Sequence, residues 1–390
     1  MKVLQIITGL GVGGAEQQLR LLLRHLPVEC DVVALTNPGA VAESLRADGV
    51  RVIHLGMSGN RDLSALPRLV RLIRSGRYDL VHTHLYRACV YGRIAARLAG
   101  VRAVVATEHS LGGTQLEGRA LSVGVRALYL ASERLGHATV AVSPTVADRL
   151  RRWGVPGPRI EVVPNGIDVA RFRFDPVIRE CTRRRLGLPQ DAYVVGGVGR
   201  LTAGKRFGVL IGALARLPRD HRLLLVGGGP EENALRRTAQ RAGVADRVLF
   251  TGERPYDADG ARGFDLPSLT SAMDVLASSS AEEAFGLAVV EGLAAGLPVL
   301  YASCPAIDDL PPGLTTAARR VTGGPGTFAR ALAETRALTL AGRSHPPTRP
   351  VSAAARHYCI TRSAAQLMNV YAAAVSCSPA SRPPLGVTDR

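Results

Sequence analysis

Two glutamates have the spacing of a ligand site shared between a loop and the helix that follows it. Glu283 and Glu291 are eight positions apart, and one continuous helix would not place them on the same face. If Gly286 opens the helix instead, Glu283 lies in the preceding loop and Glu291 in the second turn, so both carboxylates can face one cavity. The N–H groups of Phe285, Gly286 and Leu287 would then form an anion-binding helix start. Two solvated acids on a surface helix are the alternative.

Two cations occur after an apolar stretch in the second half of the chain. Arg200 and Lys205 lie in the sequence Gly-Arg-Leu-Thr-Ala-Gly-Lys, where the carboxyl end of a parallel strand supplies a ligand-binding loop. The arginine offers a planar fork of donors and the lysine a point charge, and both suit a diphosphate. Lys2 is the only other lysine, so either chemical selection or chance could have placed Lys205 here.

A glycine-rich loop follows the first apolar stretch. Gly9, Gly11 and Gly14 fit the pattern GxGxxG, which on its own favours an NAD-binding oxidoreductase. Such a site also needs an acidic residue at the end of the second strand, and this chain has Asn37 there. Gly13 and Gly14 instead predict a backbone that approaches a ligand closely at a helix start. A tight turn without a ligand explains the same pattern.

Length and composition limit the classes of protein that can use these motifs. A chain of 390 residues, 46% of them hydrophobic, predicts two packed domains and excludes a mainly disordered protein. The net charge of +17 requires anionic partners, such as phosphorylated substrates, an anionic membrane surface or nucleic acid. Nucleic acid is the weakest of these, because aromatic residues make up only 4% of the chain, and we predict no nucleic-acid partner.

Cysteine spacing and hydropathy indicate the compartment. The six cysteines are at least 18 residues apart, which gives no metal-finger spacing and favours reduced thiols in a cytoplasmic protein. The longest uncharged candidate for a membrane helix has 16 residues, 292–307, and contains two prolines, so we do not expect the chain to span a bilayer. The stretch 3–7 predicts a buried first strand and not a signal peptide.

Apolar stretches alternate with helical segments, which predicts α/β domains with doubly wound parallel sheets. The predicted strands are 3–7, 31–35, 50–55, 79–83, 102–107, 138–142, 160–163, 193–199, 222–226, 247–250, 274–277 and 298–301. The predicted helices are 14–26, 62–75, 87–99, 118–136, 144–152, 205–216, 231–242, 286–295 and 353–375. We expect a first domain at 1–170, a second at 190–350, a final helix within 351–375 and a disordered tail at 376–390.

The motifs occur in an order that is typical of one enzyme family. Gly-Gly-Ala-Glu at 13–16, Pro-Asn-Gly-Ile-Asp at 164–168, Arg200 with Lys205, the two glutamates, and Gly-Leu-Pro-Val at 296–299 together resemble the family 4 retaining glycosyltransferases of actinobacterial type. The resemblance covers residues 1 to about 375. It implies the GT-B fold, in which two Rossmann-like domains, one for the acceptor and one for the donor, face a cleft and the last helix crosses back to the first domain.

The resemblance also implies roles for residues of this chain in sugar transfer from a nucleoside-diphosphate sugar. The residues implied for catalysis are His109, Glu283, Arg200 and Lys205. The residues implied for substrate binding are Gly13, Gly14, Asn165, Phe285, Gly286, Leu287 and Glu291. The two cations would bind the diphosphate, Glu291 the ribose and Glu283 the transferred sugar, while His109 would lie near the reacting carbon. Cations and helix-start amides can neutralise the departing diphosphate, so no metal or other cofactor is expected.

The chain departs from the family pattern in the second domain. Ala284 stands where the family usually has glycine, and residues 302–309 replace paired glycines and a glutamate, so the donor-sugar pocket is expected to differ. An ordinary polar strand-end residue is the alternative for His109, and His82 and His84 are expected to be structural.

Other classes of protein explain fewer of the motifs. Asp257 and Asp259 form the DxD metal signature of the other major glycosyltransferase fold, but their polar surroundings predict a surface turn. A retaining glycoside hydrolase needs two carboxylates and has no use for the diphosphate cations. A nucleotide-sugar epimerase shares the architecture and is not expected to carry the glutamate pair. A non-catalytic nucleotide sensor is a further alternative that the sequence does not exclude.

The first domain is expected to bind a glycan or lipid-linked acceptor of cell-surface or exopolysaccharide biosynthesis. Arg68, Arg71 and Arg74 recur along the helix predicted at 62–75, and such a basic–apolar helix can rest on an anionic membrane. A solvated helix with a buried apolar stripe gives the same pattern. We expect a UDP-sugar donor, with a GDP-sugar as the alternative, and a cytoplasmic protein that contacts the inner face of the plasma membrane.

Overall fold

The computed structural model describes residues 1–59, 62–112, 122–254, 264–341 and 349–377, and the backbone of residues 115–116 and 119–120. These residues form two α/β domains, each with one parallel sheet. In the first domain the strands are β1 Lys2–Ile7, β2 Glu29–Ala34, β3 Arg51–His54, β4 Leu80–His84, β5 Ala103–Glu108, the short antiparallel pair β6 Gln115–Leu116 and β7 Arg119–Ala120, β8 Ala138–Ala141 and β9 Ile160–Val162.

The second domain contains a parallel sheet of six strands. They are β10 Tyr193–Val198, β11 His221–Val226, β12 Val248–Phe250, β13 Val275–Ser278, β14 Val299–Tyr301 and β15 Ala318–Arg320. The spatial order is β12-β11-β10-β13-β14-β15, and in the first domain it is β3-β2-β1-β4-β5-β8-β9. In both sheets the strand order reverses next to the first strand, which is the arrangement of a Rossmann-like domain.

Helices connect the strands. The first domain contains α1 Gly14–Leu23, α2 Gly39–Ala47, α3 Ala65–Gly76, α4 Tyr86–Ala99, α5 Val123–Glu133 and α6 Pro144–Trp153. The rest of the chain contains α7 Pro176–Arg185, α8 Phe207–Leu214, α9 Glu232–Arg241, α10 Leu266–Ala272, α11 Leu287–Ala294, α12 Pro305–Asp308, α13 Pro325–Ala341, α14 Ala353–His357 and α15 Ile360–Ser376.

Strand β1 shows why the sheets are parallel and covered on both faces. Leu4 and Ile6 pack with apolar residues of α3 and α4, whereas Val3 and Ile7, on the opposite face, pack with residues of α1, α2 and α15. All four side chains are fully buried. A strand that is apolar on both faces is stable only between two helical layers, and this pattern made the strands predictable.

Every predicted strand is present with ends displaced by at most two residues, but some elements were missed. The missed helices are α2, α7, α10, α12 and α13, and the missed strands are β15 and the β6–β7 pair. Helix α7 has clear end signals, because the Asp175 side chain accepts from the N–H groups of Val177 and Ile178 and proline follows at the first position. The many arginines in its sequence weaken the apolar periodicity by which a helix is recognised, so this helix was not predicted. The helix predicted at 118–136 begins only at Val123, since Ser122 caps it.

The single helix predicted at 353–375 is wrong, because the chain breaks between α14 and α15. Ile167 accepts a hydrogen bond from the N–H of Ile360 at 3.0 Å and donates its own N–H to Tyr358 at 2.8 Å. These contacts hold Cys359 extended against the linker between the domains. Helix α15 then crosses to the first domain, where Leu367 and Tyr371 are buried. Residues 378–390, most of the predicted tail, lie outside the described residues.

Candidate active site

Most of the predicted site residues lie beyond the carboxyl ends of strands at or next to the two points of order reversal. In the first sheet, β1 leads into the glycine loop, β4 ends at His84 and the neighbouring β5 precedes His109. In the second sheet, β10 leads to Arg200 and β13 leads to the loop that carries Glu283. Ligands of open α/β sheets bind in the crevice at these positions.

The helix after Glu283 begins where the glutamate spacing predicted. Gly286 has φ of 101° and α11 starts at Leu287, so Glu283 precedes the helix and Glu291 lies in its second turn. A Cβ at Gly286 would collide with the Cys304 sulfur, so both the backbone conformation and the space require glycine. The backbone N–H groups at the start of α11 and the two carboxylates therefore belong to one short segment.

The loops after β10 and β13 bring a cation and a carboxylate together. Lys205 Nζ lies 2.5 Å from Glu283 Oε1, and the two side chains are 28% and 15% exposed. Hydrogen bonds to backbone carbonyls hold the two loops together. Ala281 N donates to Gly204 O at 3.0 Å, and Ser279 Oγ donates to Lys205 O at 2.9 Å. Arg200 is exposed at the start of the first loop. The arrangement places positive charge beside a largely buried carboxylate where the two loops meet.

The glycine loop of the first domain faces this segment across the cleft. A Cβ at Gly14 would lie 3.3 Å from Leu287 Cδ1, so the start of α1 approaches the start of α11 closely. Gly13 precedes α1 in an extended conformation. Asn37, at the position where an NAD site needs an acid, accepts a hydrogen bond from Gly39 N at 3.0 Å and shapes a local turn.

Arg149 of α6 joins the two domains beside Glu283, a role that the sequence alone did not predict. Its Nη1 donates to Leu111 O at 2.8 Å and to Glu283 O at 3.1 Å, and its Nη2 lies 2.9 Å from the Glu282 carboxylate. Ser143, which caps α6, donates to Ala284 O at 2.7 Å. One arginine among many gives no local pattern for a contact between domains.

His109 directly follows β5 and contacts a second histidine. Its Nε2 lies 3.1 Å from His84 Nδ1, and the rings are stacked. Burial lowers the pKa of His109 to about 4, so the ring is neutral near pH 7. The contact between the two histidines was missed, although the His-x-His pattern of β4 places His82 and His84 on one face of the strand.

Asn165 lies apart from these contacts. It is buried in the segment between the domains, where a Cβ at its neighbour Gly166 would collide with Ile360. Among the described residues, no hydrogen bond joins Asn165 to the other predicted site residues. Asp257 and Asp259 lie outside the described residues.

A cavity of about 370 Å³ opens in the first domain next to Arg149. The residues that line it are Gly112, Ser122, Val123, Arg126, Arg149, Arg152 and Trp153. Three of these seven residues are cations and none is an acid. Such a lining favours an anionic ligand group.

The described residues hold neither a metal-ligand cluster nor a membrane-spanning helix. They contain no group of three or more His, Cys, Asp or Glu side chains that could hold a metal ion. None of the helices in this part of the chain is long and apolar enough to cross a membrane.

Acid is expected to destabilise the protein through His109. Its pKa is about 4 in the folded protein, against an ordinary value of 6.5. Between these two pH values the unfolded chain binds a proton that the folded protein does not, so the free energy of unfolding falls as the pH falls. The variant His109→Gln should reduce the slope of this free energy by about 1.2 kcal/mol per pH unit near pH 5.5. Urea denaturation at several pH values measures the slope, and an equal slope in both proteins would contradict a buried neutral ring.

Two facing Rossmann-like domains, with a helix that returns from the second to the first, define the GT-B fold. Family models agree with this architecture: one described as glycosyltransferase family 4 matches residues 12–171, and one described as glycosyl transferases group 1 matches residues 178–310. The solved structure of Anabaena Alr3699/HepE in complex with UDP and glucose is similar, with a TM-score of 0.81, 23% identity and coverage of 96% of this chain and 100% of that one.

Curated relatives place the chain within this class. It is 32% identical to a D-inositol 3-phosphate glycosyltransferase of Xylanimonas cellulosilytica, over 78% of this chain and 74% of that protein. It is 33% identical to the protein of that name from Salinispora tropica, over 77% of this chain, but spans only 65% of that relative's length. An Escherichia coli UDP-Gal:alpha-D-GlcNAc-diphosphoundecaprenol alpha-1,3-galactosyltransferase is 28% identical over 67% of each chain. The chain belongs to the family 4 glycosyltransferases.

Proposed function

We propose that this protein transfers a hexosyl unit from a nucleoside-diphosphate sugar, most simply a UDP-sugar, to an acceptor in the first domain, with retention of the anomeric configuration and without a metal cofactor. The observation that carries the proposal is the Lys205–Glu283 pair at the start of α11. It brings a cation suited to phosphate and a carboxylate suited to sugar hydroxyls together with the N–H groups at the start of α11. The resemblance to UDP-bound HepE and the family membership support the donor class.

In the proposed mechanism, the site stabilises the diphosphate as it leaves. The bond from the anomeric carbon to the diphosphate breaks, the bond to the acceptor oxygen forms, and the acceptor proton passes to the departing phosphate. Lys205, Arg200 and the N–H groups at the start of α11 neutralise the charge that develops on the phosphate oxygens. Glu283 orients the sugar hydroxyls, and Glu291 holds the ribose. Because these groups are placed before the donor binds, little reorganisation is needed.

The cavity beside Arg149 supports an acceptor with a phosphate group. Its arginines would bind that group, while Arg149 reaches from the cavity to the loop of Glu283. The names of two curated relatives, the D-inositol 3-phosphate glycosyltransferase and the diphosphoundecaprenol galactosyltransferase, describe acceptors that contain phosphate or diphosphate. A glycan or lipid-linked acceptor of cell-surface biosynthesis that carries such a group close to its reacting hydroxyl fits this site.

Removal of one cavity arginine tests the acceptor class. Arg126→Ala should raise the KM for a phosphorylated acceptor by about 10- to 100-fold, because it removes charge-assisted hydrogen bonds, and should leave the KM for the donor unchanged. The control is Arg134→Ala, which removes an exposed arginine at the end of the same helix. Equal acceptor KM values for all three proteins would show that the cavity does not bind the acceptor.

Contact with an anionic membrane, at the cytoplasmic face of the cell, is proposed from α3 and the net charge. In this helix Arg68 donates to Leu55 O at 2.9 Å and Arg74 donates to Leu98 O at 2.7 Å, whereas Arg71 is exposed to solvent. Leu63, just before the helix, is also exposed. Co-sedimentation with vesicles should require anionic lipid and weaken as salt increases. Arg71→Glu should reduce the bound fraction, and binding that is independent of lipid charge would contradict this contact.

The transfer itself is tested with purified protein, a panel of UDP- and GDP-sugars and phosphorylated acceptors, in the presence of EDTA. We expect a glycosylated product whose anomeric coupling constant in proton NMR matches that of the donor. An inverted product would contradict retention, and activity that EDTA abolishes would contradict metal independence.

A further inference from the structure

A buried set of polar side chains leads from α15 to His109. Its members, here called the histidine network, are Gln5, His82, His84, Thr107, His109 and Tyr371. They come from β1, β4, β5, the residue after β5 and α15, and all except His109 are at most 5% exposed. The family resemblance implies a role for His109 alone, near the reacting carbon, so the donor site does not explain the remaining members of this set.

The side-chain amide of Gln5 determines which atoms donate and which accept hydrogen bonds in the histidine network. Its Nε2 donates to the Tyr371 hydroxyl at 3.1 Å, and its Oε1 lies 2.9 Å from His84 Nε2. An amide oxygen can only accept, so His84 Nε2 carries the proton. Burial lowers the pKa of His84 well below its ordinary value, which keeps the ring neutral and leaves its Nδ1 without a proton.

The same reasoning determines which nitrogen of His109 carries the proton. Since His84 Nδ1 is a bare acceptor, the nitrogen 3.1 Å away, His109 Nε2, must donate to it. The neutral ring of His109 then has no proton on Nδ1. This atom is shielded from solvent and has no hydrogen-bond partner among the described residues. A buried acceptor without a donor costs free energy, and a ligand that brings a donor recovers it.

Further hydrogen bonds fix the histidine network in the fold, and a strained residue lies next to it. Tyr371 Oη lies 2.7 Å from His82 Nδ1, and His82 Nε2 lies 2.7 Å from Thr107 Oγ1, so the network ties α15 to the strands beside it. Leu85, directly after His84, has φ of 73°, which is strained for a residue with a side chain. Such strain persists where surrounding contacts hold a residue in place, often at functional sites.

We propose that Gln5, His84 and Tyr371 are positioning residues, which hold His109 as the tautomer with its proton on Nε2 so that Nδ1 accepts a hydrogen bond from a substrate hydroxyl. This inference rests on the proposed transfer reaction. The ligand class that fits a neutral acceptor nitrogen is a sugar hydroxyl, and the bond orients the sugar at the reacting carbon. In this role no proton is transferred, so His109 stays neutral throughout.

The tautomer can be measured without any substrate. In full-length protein labelled with 15N in histidine, NMR near pH 7 should show His109 protonated on Nε2, with assignment from the spectrum of His109→Gln. His84→Asn keeps an acceptor near the position of Nδ1 and should preserve this tautomer, whereas His84→Leu should lose it. A His109 protonated on Nδ1 in the wild type, or an unchanged tautomer in His84→Leu, would overturn the proposal.

Kinetics test whether the tautomer matters. His84→Leu should lower kcat about tenfold or more with little change in the KM for the donor, since a hydrogen bond in the reacting complex is lost. His84→Asn should retain most of the activity, and Tyr371→Phe should fall between the two because Gln5 loses its anchor. His54→Leu, an exposed histidine on the edge strand β3, is the matched control. Equal kcat in His84→Leu and wild type would contradict the proposal.

The two readouts separate this inference from the proposed function. If the wild type transfers no sugar from any donor and yet shows the expected tautomers, the proposed function fails and the histidine network stands. If the wild type is active but the His109 tautomer or kcat does not change in the His84 variants as expected, the positioning role is contradicted and the proposed function stands. Thermal unfolding of each variant shows whether it is folded, and for a His84→Leu that does not fold, Tyr371→Phe supplies the same two readouts.

Discussion

Replacing Lys205 with methionine is expected to lower kcat/KM for the nucleotide sugar by about 100- to 1,000-fold. The methionine keeps the length of the side chain and removes the charge that lies 2.5 Å from Glu283. Groups that stabilise charge on a departing oxygen in a preorganised site contribute factors of about this size. The loss should fall mainly on kcat, because the charge on the diphosphate grows as the bond to the sugar breaks.

The control for this variant removes a cation that has no part in the site. Arg219→Ala changes the net charge by the same amount at an exposed position of the same domain. It should leave kcat/KM within about twofold of wild type, since exposed surface charges contribute little. A Lys205→Met protein that is as active as Arg219→Ala would mean that the diphosphate binds elsewhere.

Replacing Glu291 with alanine is expected to lower kcat/KM by about 30- to 150-fold. Glu291 is 6% exposed and lies one turn inside α11, where its carboxylate would accept hydrogen bonds from the ribose hydroxyls of the donor. The loss of charged hydrogen bonds worth about 2 to 3 kcal/mol gives this range. Glu291→Gln keeps the shape of the side chain and should lose less.

A donor with 2′-deoxyribose makes the Glu291 experiment specific. Wild type should discriminate against the deoxy donor, and Glu291→Ala should treat the two donors almost equally, because each change removes the same interaction. If the variant discriminates as strongly as the wild type, then Glu291 does not bind the ribose and its loss acts through the fold.

The parts of the fold and site that depend on local pattern were predictable from the sequence. Strands buried on both faces appear as short apolar stretches, and the positive φ that Gly286 adopts needs glycine, so the start of α11 could be located. The same reasoning predicted that Glu283 lies in a loop and Glu291 in a helix. It also placed Arg200 and Lys205 in the loop after β10.

The parts that depend on contacts between distant residues were not predictable. Arg149 reaches Glu283 O across the cleft, and Tyr371 reaches Gln5 over most of the chain, and neither contact leaves a period or a motif. The break before α15 has the same origin, since backbone hydrogen bonds with Ile167 interrupt a stretch that is helical in pattern. Tertiary contacts of this kind override local propensity.

The most direct measurement is a thermal-shift titration of the full chain with UDP, GDP, ADP and NAD, each with and without EDTA. A ligand at 100 times its dissociation constant adds about 2.7 kcal/mol to the free energy of unfolding, which gives a readily measured shift. We predict stabilisation by one nucleoside diphosphate, unchanged by EDTA and lost in Lys205→Ala. Stabilisation by NAD alone would contradict the proposed function and would assign the site to Gly9, Gly11 and Gly14 instead.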